Sequence, residues 1–309
     1  MNGRDHGGDL DAAVAQFGGV RADWIDLSTG INPIPYPLPN FSVESWAALP
    51  DRAAQEALLQ AARAFWNVPT DAGLLAAPGA SALIAQIPRL APTAQVQIPG
   101  PTYNEHAAAF SAAGWSQTDG NADAQVIVHP NNPDGRLWTA SALKAPLCVI
   151  DESFCDVAPE RSLISSAAQP GTLLLKSFGK FWGLAGLRLG FAIGPADLIT
   201  KLAEMLGPWP VSGPALAVGT IALQDTHWAQ ETRVRLARDA AQLDDLMTAK
   251  GARIAGGTTL FRLYEVAEAA AMRDRLAQAH IWSRTFPYSR TWIRLGLPPD
   301  TGWKRIEAA

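Results

Sequence analysis

In the stretch Ser177-Phe-Gly-Lys180-Phe-Trp-Gly-Leu-Ala-Gly-Leu-Arg188-Leu-Gly190, a lysine lies three residues after a serine and eight residues before an arginine. Its neighbours are apolar or glycine, and an apolar run at residues 173–175 precedes it. Burial among such residues lowers the pKa of a lysine and frees its amine to act as a nucleophile. A lysine at a sheet edge with its ammonium group in water is the structural alternative, and this segment alone leaves it open.

Short apolar runs and helix-like segments alternate around this stretch. Helices are predicted at residues 51–66, 80–90 and 103–113, and the apolar runs lie at residues 74–76, 95–98, 126–128, 147–150, 173–175 and 189–193. Strands that alternate with helices predict an α/β fold with a mostly parallel sheet covered on both faces. Ligands of such sheets bind at the loops beyond the carboxyl ends of the strands, so the polar residues of those loops are the candidate site.

The pattern changes along the chain, and the changes predict three parts. Residues 1–39 form an N-terminal arm whose proline-dense end, residues 32–39, is extended. Residues 40–213 form the large domain. Residues 214–309 form a smaller α+β domain with a long helical region at 214–251, strands at 253–255, 259–264, 282–284 and 291–295, and a helix at 266–280.

Composition excludes several classes of protein. Among 309 residues, 48% are hydrophobic and 17% are charged, which is enough to build a buried core. A net charge of −4 offers no basic field for nucleic acid. The two cysteines and five histidines lack zinc-ligand spacing, so no metal site is expected. Neither an apolar signal segment nor a membrane-length apolar run is present, so we expect a cytoplasmic protein without membrane contact.

Three further loops carry polar residues that complement the lysine. Pro78-Gly-Ala-Ser81 opens a helix and predicts an anion site, His129-Pro-Asn-Asn-Pro-Asp-Gly135 carries amides, and Asp151 ends a buried strand. Each has a structural alternative when taken alone: a tight turn, a proline-rich turn and a salt bridge. Together they supply an anion site, an amide donor, a carboxylate that needs cationic or N–H partners, and a nucleophilic amine.

This set resembles the fold-type-I pyridoxal-phosphate enzymes of the class I/II aminotransferase group, whose motifs are matched in order over residues 78–191. The resemblance implies catalytic roles for Lys180, Asp151, Asn132 and Tyr103. Lys180 bonds to the cofactor, Asp151 pairs with the ring nitrogen, Asn132 donates to the phenolic oxygen, and Tyr103 stacks on the ring. It also implies a phosphate site, so the cofactor-binding residues are Gly79, Ala80, Ser81, Tyr103, Asn132, Asp151, Ser177, Lys180 and Arg188.

Two N-terminal segments narrow the resemblance. His6-Gly-Gly-Asp-Leu and Trp24-Ile-Asp-Leu-Ser-Thr-Gly-Ile-Asn-Pro-Ile-Pro-Tyr-Pro37 are similar to the threonine-phosphate decarboxylase group of cobalamin biosynthesis, in its aerobic-pathway branch. The resemblance implies that L-threonine O-3-phosphate is converted to (R)-1-amino-2-propanol O-2-phosphate and carbon dioxide by a homodimer. Arg294 matches the family's carboxylate-binding arginine, and bidentate hydrogen bonding suits that role. The candidate contacts for the substrate phosphate are His6, Ser28, Asn32 and Arg284.

Four features depart from the family or extend it. Phe154 replaces a tyrosine of the family, so one donor to the phenolic oxygen is missing and the lysine–cofactor linkage is expected to hold its proton more strongly. Leu49 stands where the family has a tyrosine that reaches the partner subunit, and Tyr36 is a candidate replacement. Trp182, between Lys180 and Arg188, is expected to wall the cofactor. A shortened helix is expected between Gly135 and the strand at 147.

Two alternatives stay open. One is a phosphate-recognising aminotransferase that resembles histidinol-phosphate aminotransferase and needs an acceptor such as 2-oxoglutarate. The other is a non-catalytic protein that binds pyridoxal phosphate. Decarboxylation and transamination use nearly the same catalytic groups and differ in which bond at Cα stands perpendicular to the cofactor ring. The residues that orient the substrate therefore decide between these two reactions.

Overall fold

Helices and strands alternate through most of the computed structural model, which describes residues 6–309. The helices are α1 (Leu10–Phe17), α2 (Glu44–Ala47), α3 (Arg52–Phe65), α4 (Ala80–Gln86), α5 (Asn104–Ala112), α6 (Ala196–Leu206), α7 (Gly213–Gln224), α8 (Thr226–Ala249), α9 (Ala269–Gln278) and α10 (Trp303–Ala308). The strands are β1 (Ile25–Asp26), β2 (Gly73–Ala77), β3 (Gln95–Gln97), β4 (Ser116–Gln117), β5 (Ala124–Val128), β6 (Leu147–Asp151), β7 (Thr172–Ser177), β8 (Gly190–Gly194), β9 (Arg253–Thr258), β10 (Phe261–Glu265), β11 (Ile281–Trp282), β12 (Arg284–Phe286) and β13 (Ser289–Gly296).

The chain divides into two units. Unit 1 comprises residues 6–35, 133–135 and 232–309, and unit 2 comprises residues 36–132 and 136–231. The sequence places the last domain boundary near residue 213, whereas the units divide within α8. The reason is that α7 packs tightly on α3 inside unit 2: a Cβ at Gly219 would lie 2.7 Å from the Leu58 side chain. The three-part division of the sequence stays a prediction.

Unit 2 is built on a seven-stranded sheet with the order β2-β8-β7-β6-β5-β3-β4. Strands β3 to β7 pair in parallel, while β8 is antiparallel to both of its neighbours. Every residue of β5, β6 and β8 is buried, as expected for strands covered on both faces. The predicted α/β fold with a mostly parallel sheet is confirmed.

The direction of these strands decides where the loops meet. Because β2, β3, β5, β6 and β7 run in one direction, the loops after them lie at one edge of the sheet. Strand β8 runs in the opposite direction, so the loop before it reaches the same edge. The loops that the sequence predicts as the cofactor site therefore all lie at the carboxyl edge of this sheet.

Unit 1 combines the N-terminal arm with the C-terminal strands. Its antiparallel sheet has the order β12-β13-β10-β9, and the short strand β1 of the arm pairs in parallel with β11. Leu10, Ala13 and Trp24 of the arm share a small core with Ala277 of α9. Residues 32–39 form neither helix nor strand and bend at residues 33–34, so the extended conformation of this segment stays a prediction. Among residues 6–309, none of the helices has the length and apolar character needed to cross a membrane.

Candidate active site

The carboxylate of Asp151, at the end of β6, lies in the interior of unit 2 with its partners already in place. Its Oδ2 is 2.8 Å from His106 Nε2, and its Oδ1 accepts hydrogen bonds from the backbone N–H and the hydroxyl of Ser153. Burial by itself raises the pKa of Asp151, but the hydrogen bond and charge of His106 and the two Ser153 donors outweigh it and lower the pKa. Asp151 is therefore held as a buried carboxylate that suits a cationic ring N–H.

His106 is a site residue that the sequence reasoning missed. It lies in the first turn of α5, three positions after Tyr103, so the two side chains project from the same side of the helix start. Their rings are 6.0 Å apart and nearly perpendicular. The predicted stacking residue and the partner of Asp151 thus come from one helical turn. A single histidine among alanines gives no sequence signal that distinguishes it from an ordinary core histidine.

The predicted phosphate site forms a cradle of glycines around Arg188. Gly79 precedes α4 with φ +84°, and a Cβ at Gly79 would lie 2.7 Å from Arg188 Nη2. A Cβ at Gly190 would lie 2.4 Å from the Ala80 nitrogen, so the backbone of β8 passes directly beside the start of α4. Arg188 has left-handed backbone geometry, with φ +52°, and its side chain is exposed. These positions require glycine because a side chain would fill the cradle.

The other two residues predicted to bind the cofactor phosphate, Ser177 and Ser81, differ in their position relative to this cradle. Ser177 ends β7 opposite Gly190, and its hydroxyl accepts a hydrogen bond from the Gly179 N–H at 3.3 Å. Ser81 is exposed one residue into α4. Their contacts to a cofactor stay predictions, as does that of the Ala80 backbone.

Lys180 lies in the loop after β7, half-buried beside an aromatic ring. Its Nζ is 5.4 Å from the centre of the Phe154 ring, and Phe154 is 5% exposed. Phenylalanine supplies a low-dielectric neighbour without a hydrogen-bond donor, which suits an amine that must react when neutral. The departure at Phe154 noted in the sequence therefore lies directly at the predicted reactive lysine.

The two asparagines after β5, Asn131 and Asn132, have different surroundings. Asn131 is buried, accepts a hydrogen bond from Thr102 Oγ1 at 2.6 Å and donates to the Pro101 carbonyl at 3.0 Å. It thereby fixes this loop to the loop that precedes Tyr103. The next residue, Asn132, is half-buried at the same edge of the sheet. Sequence reasoning assigned the chemistry to Asn132 and missed the bracing function of Asn131.

Two expectations about aromatic residues are wrong. Trp182 does not present a face to a cofactor, because Phe178 covers one face and Trp228 the other, with centroid distances of 5.0 Å and 5.4 Å. Tyr36 does not offer its hydroxyl to a second subunit. It is 5% exposed, and its hydroxyl donates to Asp225 within unit 2, at 3.2 Å, where burial and Asp225 raise the pKa of Tyr36.

Three potential metal ligands, His129, Glu152 and Cys155, lie within 4.8 Å of one another in unit 2. The ring nitrogens of His129 already bond to the Arg161 carbonyl and the Trp138 N–H. Glu152 is 2.7 Å from the buried ammonium group of Lys176. A cation there would be repelled by the ammonium group and would have to displace these bonds, so the cluster does not suit a metal ion.

In unit 1, two arginines face each other across a strand pair. Arg284 of β12 is the register partner of Arg294 of β13. Arg294 is buried, and burial followed by the charge of Arg284 lowers its pKa to about 10, against the opposing effects of Tyr288 and Asp26. Two neighbouring guanidinium groups, one of them desolvated, form a site that favours an anion.

The arm borders this arginine pair. Arg294 Nη2 donates to the Ser28 carbonyl at 2.5 Å, and the Ser28 hydroxyl bonds to Asp26 and accepts the Gly8 N–H. Gly7 packs so closely that a Cβ would lie 2.3 Å from the Ser28 carbonyl oxygen. The exposed His6 directly precedes it. The structure thus brings Ser28, Arg284 and Arg294 together, with the backbone of Gly7 beside Ser28. A contact of the His6 side chain with the substrate stays a prediction.

Asn32 is held elsewhere in unit 1. Its side-chain oxygen accepts a hydrogen bond from Arg235 Nη2 at 2.7 Å and one from the Ile34 N–H at 3.1 Å. Those bonds form a turn in the arm, so a direct contact between Asn32 and the substrate stays a prediction.

The residues of unit 2 fit pyridoxal phosphate. A buried carboxylate with a lowered pKa, a glycine cradle that a Cβ would fill beside an exposed arginine, and a half-buried lysine against an apolar ring supply the three groups that hold it. Among the described residues of this unit, these are the candidates for the partner of the ring nitrogen, the phosphate site and the covalent bond.

Comparison with known proteins gives a matching family model, similar relatives and similar solved structures. The family model described as aminotransferase class I and II matches residues 40–307. A threonine-phosphate decarboxylase of Sinorhizobium sp is 40% identical over 97% of this chain and 95% of its own length. One from Pseudomonas aeruginosa is 37% identical over 99% and 96%. The crystal structure of histidinol-phosphate aminotransferase from Sinorhizobium meliloti, in complex with pyridoxal-5'-phosphate, has a TM-score of 0.80, 20% identity and coverage of 97% and 92%.

Proposed function

The chain belongs to the aminotransferase class I and II family, and from that membership and its relatives we propose that it is a pyridoxal-phosphate enzyme that decarboxylates L-threonine O-3-phosphate. The products are (R)-1-amino-2-propanol O-2-phosphate and carbon dioxide. The product amine is the one used in cobalamin biosynthesis. The observation that carries the proposal is the arm. Residues 6–35 lie outside the matched family model, yet within unit 1 they border the buried arginine pair.

When bound, pyridoxal phosphate supplies an electron sink that stabilises negative charge at Cα of an amino acid. Lys180 provides the amine that bonds to the cofactor and, once released by the substrate, moves a proton to Cα. Asp151 stays ionised and holds the ring N–H, because His106 and Ser153 lower its pKa. The cradle of Gly79, Ala80 and Arg188 binds the cofactor phosphate.

The choice of reaction falls to the anion cluster of unit 1. Arg294 binds the substrate carboxylate through its guanidinium group, and Arg284 and His6 bind the substrate phosphate. A substrate with two anionic ends held at two points has a defined rotation about the bond between Cα and its amine. Held in this way, the substrate would break its bond from Cα to the carboxylate, releasing carbon dioxide, and would keep its hydrogen at Cα.

A product assay tests this proposal. Purified protein loaded with pyridoxal phosphate is given L-threonine O-3-phosphate with and without 2-oxoglutarate. We expect carbon dioxide and aminopropanol phosphate in equal amounts without any acceptor. Turnover that requires 2-oxoglutarate and yields glutamate would instead establish the aminotransferase alternative. Binding of the cofactor without turnover of either kind would establish the non-catalytic alternative.

We also propose that the enzyme is a homodimer. The support within unit 2 is an apolar segment between residues 38 and 49, in which Val43, Trp46 and Leu49 are 83%, 70% and 67% exposed. Exposed apolar side chains close together are typical of a protein interface. Light scattering should give twice the chain mass, and Trp46→Glu should shift it toward the monomer, whereas Val234→Glu on α8 should not. The cytoplasmic location stays a prediction.

A further inference from the structure

A buried ionic cluster lies in unit 2 beside the residues already described. The ammonium group of Lys176 is 2.7 Å from Glu152 Oε2 and 3.4 Å from Asp156 Oδ1, and each of the three side chains is almost completely buried. Glu152 directly follows Asp151, while Lys176 lies on β7, four residues before Lys180. The cluster thus involves the chain segments that carry both of the predicted catalytic groups.

The cluster is fully supplied with hydrogen-bond donors. Glu152 also accepts the Ser162 hydroxyl at 2.7 Å and the Leu163 N–H at 2.6 Å. The indole N–H of Trp66 donates to Asp156 Oδ1 at 2.9 Å. Burial lowers the pKa of Lys176, but the charges of Glu152 and Asp156 outweigh it and raise the pKa, so the ammonium form persists. A buried ion pair of this kind contributes fixed geometry more than net stability.

Trp182 connects this cluster to the lysine loop. Its indole N–H donates to Asp156 Oδ2 at 3.2 Å, and Trp182 lies only two residues after Lys180. The indole is clamped between Phe178 and Trp228, with interplanar angles of 8° and 12°. Its backbone carbonyl also accepts the Tyr36 N–H at 2.9 Å. The loop that carries Lys180 is therefore anchored at one residue in three ways: an indole hydrogen bond, an aromatic stack and a backbone hydrogen bond.

We propose that Trp182 is a positioning residue for the reaction: through Asp156 and Lys176 it fixes Lys180 relative to Asp151. The inference rests on the proposed function, since it concerns the lysine and the carboxylate that hold the cofactor. Small displacements of a reacting group lower the rate strongly, and the Trp182–Asp156 hydrogen bond joins the lysine loop to the segment after Asp151. Because Trp182 is completely buried, it acts only through other residues.

Three matched substitutions test the inference, each replacing an indole by a phenyl ring. Trp182→Phe keeps the stack but removes the N–H bond that links the lysine loop to Asp156. Trp66→Phe removes the other indole N–H bond to Asp156, from the end of α3, and leaves the lysine loop untouched. Trp228→Phe alters the same aromatic stack without a bond to Asp156. Thermal unfolding of each variant reports its stability.

The informative readout is the visible absorption band of the lysine-linked cofactor and the pH at which that band titrates. Trp182→Phe is expected to shift this midpoint and to lower kcat roughly 10- to 100-fold with KM nearly unchanged. Trp66→Phe is expected to lower the unfolding temperature but to keep the wild-type midpoint, and Trp228→Phe is expected to keep the midpoint as well. Trp182→His, which retains a ring N–H, should restore the wild-type titration.

Two results would overturn the inference. One is a wild-type titration in folded Trp182→Phe, and the other is an equal shift in Trp66→Phe, which would mean that only the satisfaction of Asp156 matters. If Trp182→Phe does not fold, Trp182→His decides: a midpoint away from that of the wild type would overturn the inference, and a wild-type midpoint would support it. A wild-type protein that shows no visible band with pyridoxal phosphate would contradict the proposed function itself.

Discussion

Each unit buries a charged side chain, but the neighbours of that charge differ between the two units. In unit 2, the buried carboxylate of Asp151 is surrounded by donors from His106 and Ser153, and its pKa is lowered. In unit 1, the buried guanidinium of Arg294 has a like charge, Arg284, as its register partner, and its pKa is lowered to about 10. The first charge is stabilised by the fold, whereas the second is held in a state that an anion would stabilise.

This difference separates two tasks. A carboxylate that is compensated in advance keeps its geometry and charge whether or not a cofactor is bound, which suits a permanent partner. Two guanidinium groups that repel each other are stabilised when a dianionic ligand binds between them. This arrangement suits a substrate, which binds and is released in each turnover. We therefore expect substitutions in unit 2 to change the properties of the bound cofactor, and substitutions in unit 1 to change the binding and the fate of the substrate.

The largest effect is expected at the lysine of unit 2. Lys180→Ala removes the covalent bond to the cofactor and the group that carries a proton to Cα, so activity should fall by roughly 10²–10⁴-fold or more. The visible absorption band of the lysine-linked cofactor should disappear at the same time. Lys201→Ala, at an exposed position on α6, serves as the control and should retain both. A Lys180→Ala protein with an unchanged band would refute the assignment.

The next largest effect is expected at the arginine pair of unit 1. Arg294→Gln removes the buried guanidinium group, and kcat/KM should fall roughly 10²–10³-fold, which corresponds to ~3–4 kcal/mol. The absorption band and the cofactor affinity should stay at wild-type values. Arg290→Gln, on the same strand but exposed, is the matched control. A loss of cofactor affinity in Arg294→Gln would contradict the claim that unit 1 binds the substrate and unit 2 binds the cofactor.

A pH-dependent effect is expected at the partner of Asp151. Burial raises the pKa of Asp151, and His106 is the larger of the two groups that lower it, so His106→Phe leaves only the Ser153 donors against burial and the pKa rises. Below the raised pKa the carboxyl group is protonated, so cofactor affinity should weaken as the pH falls from 7 to 5, by at most about tenfold per pH unit. The wild type should show no such loss. Fluorescence titration of each apoprotein with pyridoxal phosphate measures the cofactor affinity at each pH. If the affinities of the wild type and of His106→Phe changed with pH in the same way, the role of His106 would be contradicted.

The smallest effect is expected at Phe154. Phe154→Tyr adds a donor beside Lys180, which should lower the pKa of the lysine–cofactor linkage by about one unit. A spectral titration of the loaded protein gives this pKa directly. Phe154→Leu, which lacks both the ring and the hydroxyl, tests whether the shift comes from the hydroxyl. An unchanged or raised pKa in Phe154→Tyr would count against the account.

Sequence reasoning succeeded where a pattern was local. The strands predicted at 147–150 and 173–175 lie within a few residues of β6 and β7, and the long helical region predicted at 214–251 corresponds to α7 and α8. These elements have continuous apolar runs or clear caps. The shortened helix expected after Gly135 is a single 3₁₀ turn at Ala140–Ala142, because the loop is too short for more.

Sequence reasoning failed where the decisive contact joins residues that lie far apart in the sequence. His106 and Asp151 are 45 residues apart, and Lys176 and Asp156 are 20 residues apart, so no spacing rule connects either pair. The prediction that Trp182 walls the cofactor failed for the same reason: Trp228, which covers one face of its indole, lies 46 residues further along the chain on α8. The sequence marks His6, Ser28 and Asn32 of the arm as candidate contacts for the substrate phosphate, whereas the bond from Arg294 to Ser28 and the packing of Gly7 required the fold.

The measurement that tests the central claim most directly is the fate of the hydrogen at Cα. L-Threonine O-3-phosphate deuterated at Cα is converted by the enzyme in ordinary water. The deuterium content of the amine product is then measured by mass spectrometry. In decarboxylation the bond from Cα to the carboxylate breaks and Cα gains one solvent proton, so the product should retain its deuterium completely. Loss of deuterium together with formation of a 2-oxo acid would contradict the account, because it would show that the Cα–H bond is the one cleaved.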